Sequence, residues 1–308
     1  MKNPQPSILI RMIIIMTVFI LSSCASSSDN ALSLMQKIQE STASIDTVYS
    51  ETVLRPYDGI TLTETTFSCQ QKLNHMFILQ VKTDAGYTLR PSTPDDEYVK
   101  GKTQDILGQS EVVAKNGSKV LYGVNADVFG SFREDMPGLL VPMGLVIADG
   151  EVYQSFHHHN AENLFCVRND GTADIIKYSD FAQDSISIRQ AVGAWHTLIW
   201  DGQKAEAPED ILGLGYHPRT FIGVSEDRRE VLIFVVDGRQ PQWSEGLQMR
   251  DMIDICAGAG CYRAANLDGG GSTTFVAKTE DGYKVINSPS DEGNKARPVV
   301  NGLLVIEE

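Results

Sequence analysis

Seven Asp-Gly pairs punctuate this chain, beginning at Asp58, Asp149, Asp170, Asp201, Asp237, Asp268 and Asp281. Asp-Gly suits a two-residue hairpin turn, in which both central residues take positive φ and only small or glycine-like residues do so cheaply. Most of these pairs lie between β-branched or aromatic runs, as in 143–152 about Asp149 and 164–176 about Asp170. The rhythm predicts an α+β fold: a β-rich mixed sheet, built largely from hairpins and mostly antiparallel, with a few packed helices.

A longer hairpin is expected from 220–224 through the charged turn 226–229 into 231–236, whose second strand is continuously apolar and therefore central. A hairpin over 273–286 and a last strand over 298–306 follow. Ala31, Leu34, Met35 and Ile38 recur at helical spacing behind Asp29 or Asn30 as a cap, and Met249, Met252, Ile253 and Cys256 mark a second helix ending at Gly258 or Gly260. Residues 91–97, polar and proline-bearing, read as a loop.

The N-terminus carries Lys2 and Arg11 before the apolar run 12–21, too short for a bilayer-spanning helix, and then Leu21-Ser22-Ser23-Cys24. This ending resembles a bacterial lipobox, which implies a signal peptide over 1–23, acylation of Cys24 and anchoring in the cell envelope, periplasmic or at the cell surface. Removing Lys2 and Arg11 takes the formal charge from −14 to −16. A surface so acidic repels nucleic acid, so a phosphate-bearing ligand must be met by locally placed cations. Arg219, Arg239 and Arg297, each beside a predicted strand, are the candidates. Cys69, Cys166, Cys256 and Cys261 allow three pairings, or remain free thiols.

The densest chemistry lies in Asn266-Leu267-Asp268-Gly269-Gly270-Gly271-Ser272. A turn is satisfied by Asp-Gly alone, so Gly270 and Gly271 imply a backbone that approaches a ligand closely, with amides able to converge on an anion. Asn125 and Asp127, at the end of the apolar run 119–124, project to one face, and Asp237 ends a third strand. Strand ends of one sheet can gather these three carboxylates at a single rim. The pairs Asn125/Asp127 and Asn266/Asp268 offer oxygens to a hard divalent cation, although no cofactor is required by the sequence. Consecutive His157, His158 and His159 alternate faces and make no convergent triad; His217 is better placed to touch a polar ligand.

The blocks Gly123 to Phe129, Pro142-Met143-Gly144, Pro218 to Gly223, Val235 to Arg239, Ser244-Glu245-Gly246, Asn266 to Ser272 and Arg297-Pro298-Val299 together resemble the phosphodiester glycosidase family over residues 110–306. The residues over 24–110 read as a tether, a helix and a β-rich region, and the resemblance implies a catalytic domain over 111–308. It implies hydrolysis of a sugar-1-phosphodiester, N-acetylglucosamine-like, between the anomeric carbon and the phosphate oxygen. On that reading Asp268 is the nucleophile or base, Asp127 or Asp237 its partner, and Arg219, Arg239, Arg297 and the amides of Gly269 to Gly271 hold the phosphate beside Asn125, Asn266 and Ser272. The alternatives are a glycosidase on an ordinary glycan and a non-catalytic, lipid-anchored glycan-binding protein.

Overall fold

The computed structural model describes residues 32–159 and 161–308. Cys24 and the leader therefore lie outside the described residues. Residues Ser33–Glu308 form one compact unit, organised on an eight-stranded sheet. Its strands run Ile45–Tyr57, Ile60–Cys69, Lys72–Lys82, Glu230–Val236, Arg219–Val224, Arg263–Asn266, Thr197–Trp200 and Gln203–Lys204 in spatial order, each pair antiparallel.

The continuously apolar strand Glu230–Val236 is central, between Lys72–Lys82 and Arg219–Val224. Its side chains alternate between two cores. Val231, Ile233 and Val235 enter one with Ile222, Tyr122, Phe165 and Leu303; Leu232, Phe234 and Val236 enter the other with Met35, Ile38, Met249 and Met252. Each fully buried side chain of this size contributes about 1.5–3 kcal/mol of hydrophobic stabilisation, so both faces of this strand hold the unit together. Phe221 and Phe234 stack across the pair with ring centroids 4.6 Å apart.

On the first core's far side lie two five-stranded antiparallel sheets. One orders Ala173–Lys177, Asn163–Arg168, Ile188–Ala194, Val146–Ala148 and Glu151–Gln154; the other orders Gly282–Val285, Phe275–Thr279, Lys119–Asn125, Gly302–Glu307 and Tyr87–Ser92. The second core is closed by helices Leu34–Ser41 and Met249–Gly258.

The Asp-Gly turns form at Asp149 and Asp201, with positive φ at both residues, and at Asp58, where strands join through two residues. The pairs at Asp237 and Asp268 instead leave their strands for irregular loops that reach other parts of the chain.

Several sequence expectations need correcting. The first helix is capped not by Asp29 or Asn30 but by Ser33, whose hydroxyl accepts from Gln36 N while Gln36 returns a bond to Ser33 N. Pro91 lies inside a strand, Tyr87–Ser92, which is possible because that strand is a sheet edge where a missing N–H costs no ladder bond. The last strand starts at Gly302 rather than 298. Helix Ile106–Lys115, capped by Asp105 on Gly108 N, had no counterpart in the sequence reading. The four described cysteines are buried and none is joined to another in a disulfide.

Cys261 follows the helix end and packs its sulfur where Gly223 leaves a gap; a Cβ at Gly223 would overlap that sulfur. Gly223→Ala should therefore destabilise the protein by about 1–3 kcal/mol. In denaturant unfolding, Cys261→Ala added to the same chain should recover at least half of that loss, a coupling absent between independent sites.

Candidate active site

Strands Lys119–Asn125 and Arg263–Asn266 belong to different sheets but end at the same place. The single-rim arrangement is thus replaced by a meeting of two sheets. Asp268 N donates to Ala126 O at 2.7 Å, and Asn125 Nδ2 donates to Asp268 O at 2.6 Å. Asn125 Oδ1 accepts from Thr220 Oγ1 at 2.8 Å and Thr274 N at 3.1 Å. Asn125 is accordingly a clamp on the loop rather than a group facing a ligand, and its bonds bring Asp127 and Asp268 together.

Asp127 is buried. Its Oδ2 accepts from Gly144 N at 2.6 Å, its own N–H donates to Asn301 Oδ1 at 3.1 Å, and any side chain at Gly193 would overlap the carboxyl. Burial pushes its pKa up to about 7, and the charge of Asp268 pushes the same way against the Gly144 amide. Asp268 is shielded from bulk water but keeps part of its surface open to a cavity of about 210 Å³. Burial raises its pKa to about 6, opposed by the Ser272 hydroxyl, the Gly269 amide and the charge of Arg297. Both carboxyls thus hold a proton well above the ordinary carboxylate range, Asp127 in the interior and Asp268 at the cavity wall.

Across this cavity stand Arg219, Arg239 and Arg297. Arg219 is buried, anchored through Nε to Leu247 O at 2.9 Å and through Nη2 to Gly215 O at 3.1 Å, and burial pushes its pKa down to about 10. Arg239 is exposed at φ +58°, with Nη2 3.4 Å from His217 Nδ1. Arg297 forms a two-pronged pair with Asp291 at 2.9 and 2.8 Å. The glycines are what admit them. A Cβ at Gly270 would stand 3.0 Å from Arg239 Nη2, and one at Gly271 would overlap the Arg297–Asp291 pair.

The amide nest expected of Gly269 to Gly271 is not formed. Gly269 N donates to Asp268 Oδ1 at 2.9 Å and Gly270 N to Pro218 O at 2.8 Å, so these two donors are already used. The loop contributes space, while guanidinium groups supply the positive charge. Ser272 is buried beside Asp268.

Asn266 and Trp195 complete the wall. The Asn266 Oδ1 is buried without a hydrogen-bond partner in the protein. Trp195 was missed in the sequence because it lies in no motif; its N–H donates to Asn266 O at 2.7 Å, which brings an aromatic ring to the cavity. Asp237 does not line the cavity. Its Oδ1 accepts from Asn287 Nδ2 at 3.0 Å and Ser288 N at 2.9 Å, and its Oδ2 from Trp243 Nε1 at 2.8 Å, so it pins two loops.

His157 stacks on Tyr178 with centroids 3.2 Å apart, whereas His158 and His159 pack elsewhere. Among the described residues no cluster of three or more His, Cys, Asp or Glu is arranged to hold a metal ion. A larger hollow of about 580 Å³, lined by Lys82, Asp84 and Glu230 among others, contains none of the motif residues.

The profile of the phosphodiester glycosidase family matches residues 118–306. No curated protein matches the sequence. Among solved structures, a hypothetical protein from Synechocystis aligns with a TM-score of 0.61 at 12% identity, covering 84% of this chain; the chain spans 64% of that protein. The catalytic domain of zebrafish N-acetylglucosamine-1-phosphodiester alpha-N-acetylglucosaminidase, auto-inhibited by its pro-peptide, aligns with a TM-score of 0.58 at 16% identity, over 87% of this chain and 84% of that one. A putative exported protein from Burkholderia pseudomallei aligns with a TM-score of 0.51 at 15% identity, over 76% and 74%. At such identities the likeness establishes a shared fold.

Because the folded pKa of Asp127 lies above its ordinary value, its stabilising effect is full below the unfolded pKa and is lost as pH rises through about 7. Asp127→Asn, which keeps an acceptor for Gly144 N, should flatten the fall in melting temperature between pH 5 and 8. An unchanged slope would remove Asp127 as the titrating group.

Proposed function

Because the chain belongs to the phosphodiester glycosidase family, we propose that it hydrolyses a sugar-1-phosphodiester, N-acetylglucosamine-like, between the anomeric carbon and the phosphate oxygen. The observation that carries this reading is a carboxylate with a raised pKa, Asp268, sharing one small cavity with three guanidinium groups. The zebrafish neighbour, by its description, acts on an N-acetylglucosamine-1-phosphodiester, which supports the choice of sugar.

Hydrolysis places a water-derived hydroxyl on the anomeric carbon, and the electron pair of the broken C–O bond leaves with the phosphate oxygen. A phosphate monoester departs as a stable anion, so preorganised positive charge substitutes for much of the work of a proton donor. Arg219, Arg239 and Arg297 supply that charge. Asp268 acts as the nucleophile, or as the base that activates water, and is ionised above about pH 6. Asp127, holding its proton up to about pH 7, keeps the carboxyl pair from carrying two negative charges at once. The unpartnered Asn266 Oδ1 accepts a hydrogen bond from a sugar hydroxyl or acetamido N–H, and the Trp195 ring packs against the sugar's apolar face. No step here requires a divalent cation, and chelator sensitivity is open to direct measurement.

The same proposal extends to location: the chain is a lipoprotein, exported and held in the bacterial envelope by acyl groups on Cys24. Supporting it is the Leu21-Ser22-Ser23-Cys24 sequence after a short apolar run. Such a protein meets its substrate outside the cytoplasm.

Purified residues 25 to 308 should release free sugar and phosphomonoester from an α-N-acetylglucosamine-1-phosphodiester, with a rate that rises as pH passes about 6. Asp268→Asn should lower that rate by about 10²–10⁴-fold with little change in melting temperature. Full activity in this variant would remove the mechanism. In cells, Cys24→Ala should move a still-active protein from the membrane fraction to the soluble one; retention on the membrane would remove the lipid anchor.

A further inference from the structure

Arg297 meets the cavity already paired with a carboxylate. Asp291 accepts from its Nε at 2.9 Å and from its Nη2 at 2.8 Å. Both partners are half-buried, and an ion pair so open to solvent adds little to stability. In a cavity that receives a phosphate the pair also opposes binding, because it occupies one donor edge of the guanidinium that a phosphate would use. A role in the site therefore explains the pair better than a role in folding.

Asp291 itself reaches the wall. Gly271 lines the cavity, and a Cβ there would overlap both Arg297 Nη2 and Asp291 Oδ1. The loop that carries Asp291 is fixed: Ser288 N donates to Asp237 Oδ1 at 2.9 Å, Gln240 Nε2 to Ser288 O at 2.8 Å, and Asn294 N to Asp291 O at 2.9 Å. A carboxylate is thus held in advance beside the guanidinium groups, where an entering anion must meet it. With Asp268 ionised, the two carboxylates leave the three guanidinium groups a single positive charge in excess. Behind the wall, Asp251 and Asp210 act on Arg219 by charge without lining the cavity.

That balance matters because cleavage changes the charge of the bound group. A phosphodiester carries one negative charge, whereas the monoester left by hydrolysis carries close to two above its second pKa of about 6. Coulomb energy scales with ligand charge, so a fixed carboxylate repels the monoester about twice as strongly as the diester. A repulsive group of this kind creates preference by weakening the wrong ligand.

We infer that Asp291 is a charge-selecting residue, which lowers the hold of the cavity on doubly charged phosphate monoesters relative to singly charged diesters. This rests on the proposed phosphodiester hydrolysis and adds to it a determinant of product release. The diester is admitted, and the phosphomonoester, once formed, is repelled. Free sugar phosphates are kept from occupying the site by the same means.

The test measures binding by calorimetry at about pH 8, where a monoester is doubly charged, in the Asp268→Asn background. The ligands are α-N-acetylglucosamine-1-phosphate and its methyl ester, which share the sugar and differ by one methyl group and one charge. Adding Asp291→Asn, which keeps an acceptor for Arg297, should tighten the monoester about tenfold and the diester about threefold, because the gain follows ligand charge. The shift in preference should shrink at high salt. Asp291→Ser removes the same charge with a different side chain and should act alike, whereas Asp291→Glu should retain the original preference. Weaker binding of both ligands, as loss of a merely structural pair would give, or an equal change in both, would overturn the assignment. So would unfolding of both uncharged variants, which would make Asp291 a residue of the fold. Failure of both ligands to bind with Asp291 intact, together with absence of turnover in the unmutated protein, would instead overturn the function on which it rests.

Discussion

The structure depends on the junction at which the Asp268 backbone crosses from one sheet to another. Asp268 N–H bonds to Ala126 O, the Asn125 carboxamide grips Asp268 O, and Thr220 and Thr274 hold that carboxamide in turn. These groups come from four separated parts of the chain and are largely shut away from water. Leaving one buried donor or acceptor unmade costs about 1–3 kcal/mol, so the junction is a strong constraint on how the sheets meet. It also sets the separation of Asp127 and Asp268, on which their shared chemistry depends.

Placing two carboxyls at a buried junction is costly, and the protein spreads that cost in two ways. One carboxyl, Asp127, is deeply buried, and burial outweighs the backbone amides of Gly144 and Val128, so it retains its proton to about pH 7. The other, Asp268, opens to the cavity and is stabilised as an anion by Ser272, Gly269 and Arg297. Positive charge is concentrated across the same cavity in a chain whose formal charge is −14. Local arrangement, not overall charge, therefore decides what such a site attracts.

The glycine run shows how a correct inference can reach the right place for the wrong atomic reason. Close approach does require Gly270 and Gly271, as their number suggested. What approaches them in the protein is the guanidinium groups of Arg239 and Arg297, while the amides of Gly269 and Gly270 are spent internally. Likewise Asp237 ends a strand, as expected, but its oxygens are consumed by Asn287, Ser288 and Trp243. Its effect on the cavity passes through the loops it fixes.

Local patterns were legible in the sequence by itself. The continuous apolar run Val231 to Val236, the spacing of Met249, Met252, Ile253 and Cys256, and the Asp-Gly turns at Asp58, Asp149 and Asp201 depend only on neighbours a few residues apart, and each specified its element. Asp268 beside the glycine run was equally plain, whereas Arg219, Arg239 and Arg297 were legible only as cations beside strands, and the fold brought them to that loop. Tertiary structure alone decided that two sheets rather than one bring the carboxylates together, that Asp237 turns away, and that Trp195 joins the wall. Those outcomes rest on bonds between residues far apart in the chain, such as Asn125 with Asp268 and Trp195 with Asn266. A side chain at a strand end is aimed by whichever loop returns to meet it, and no local pattern records that partner.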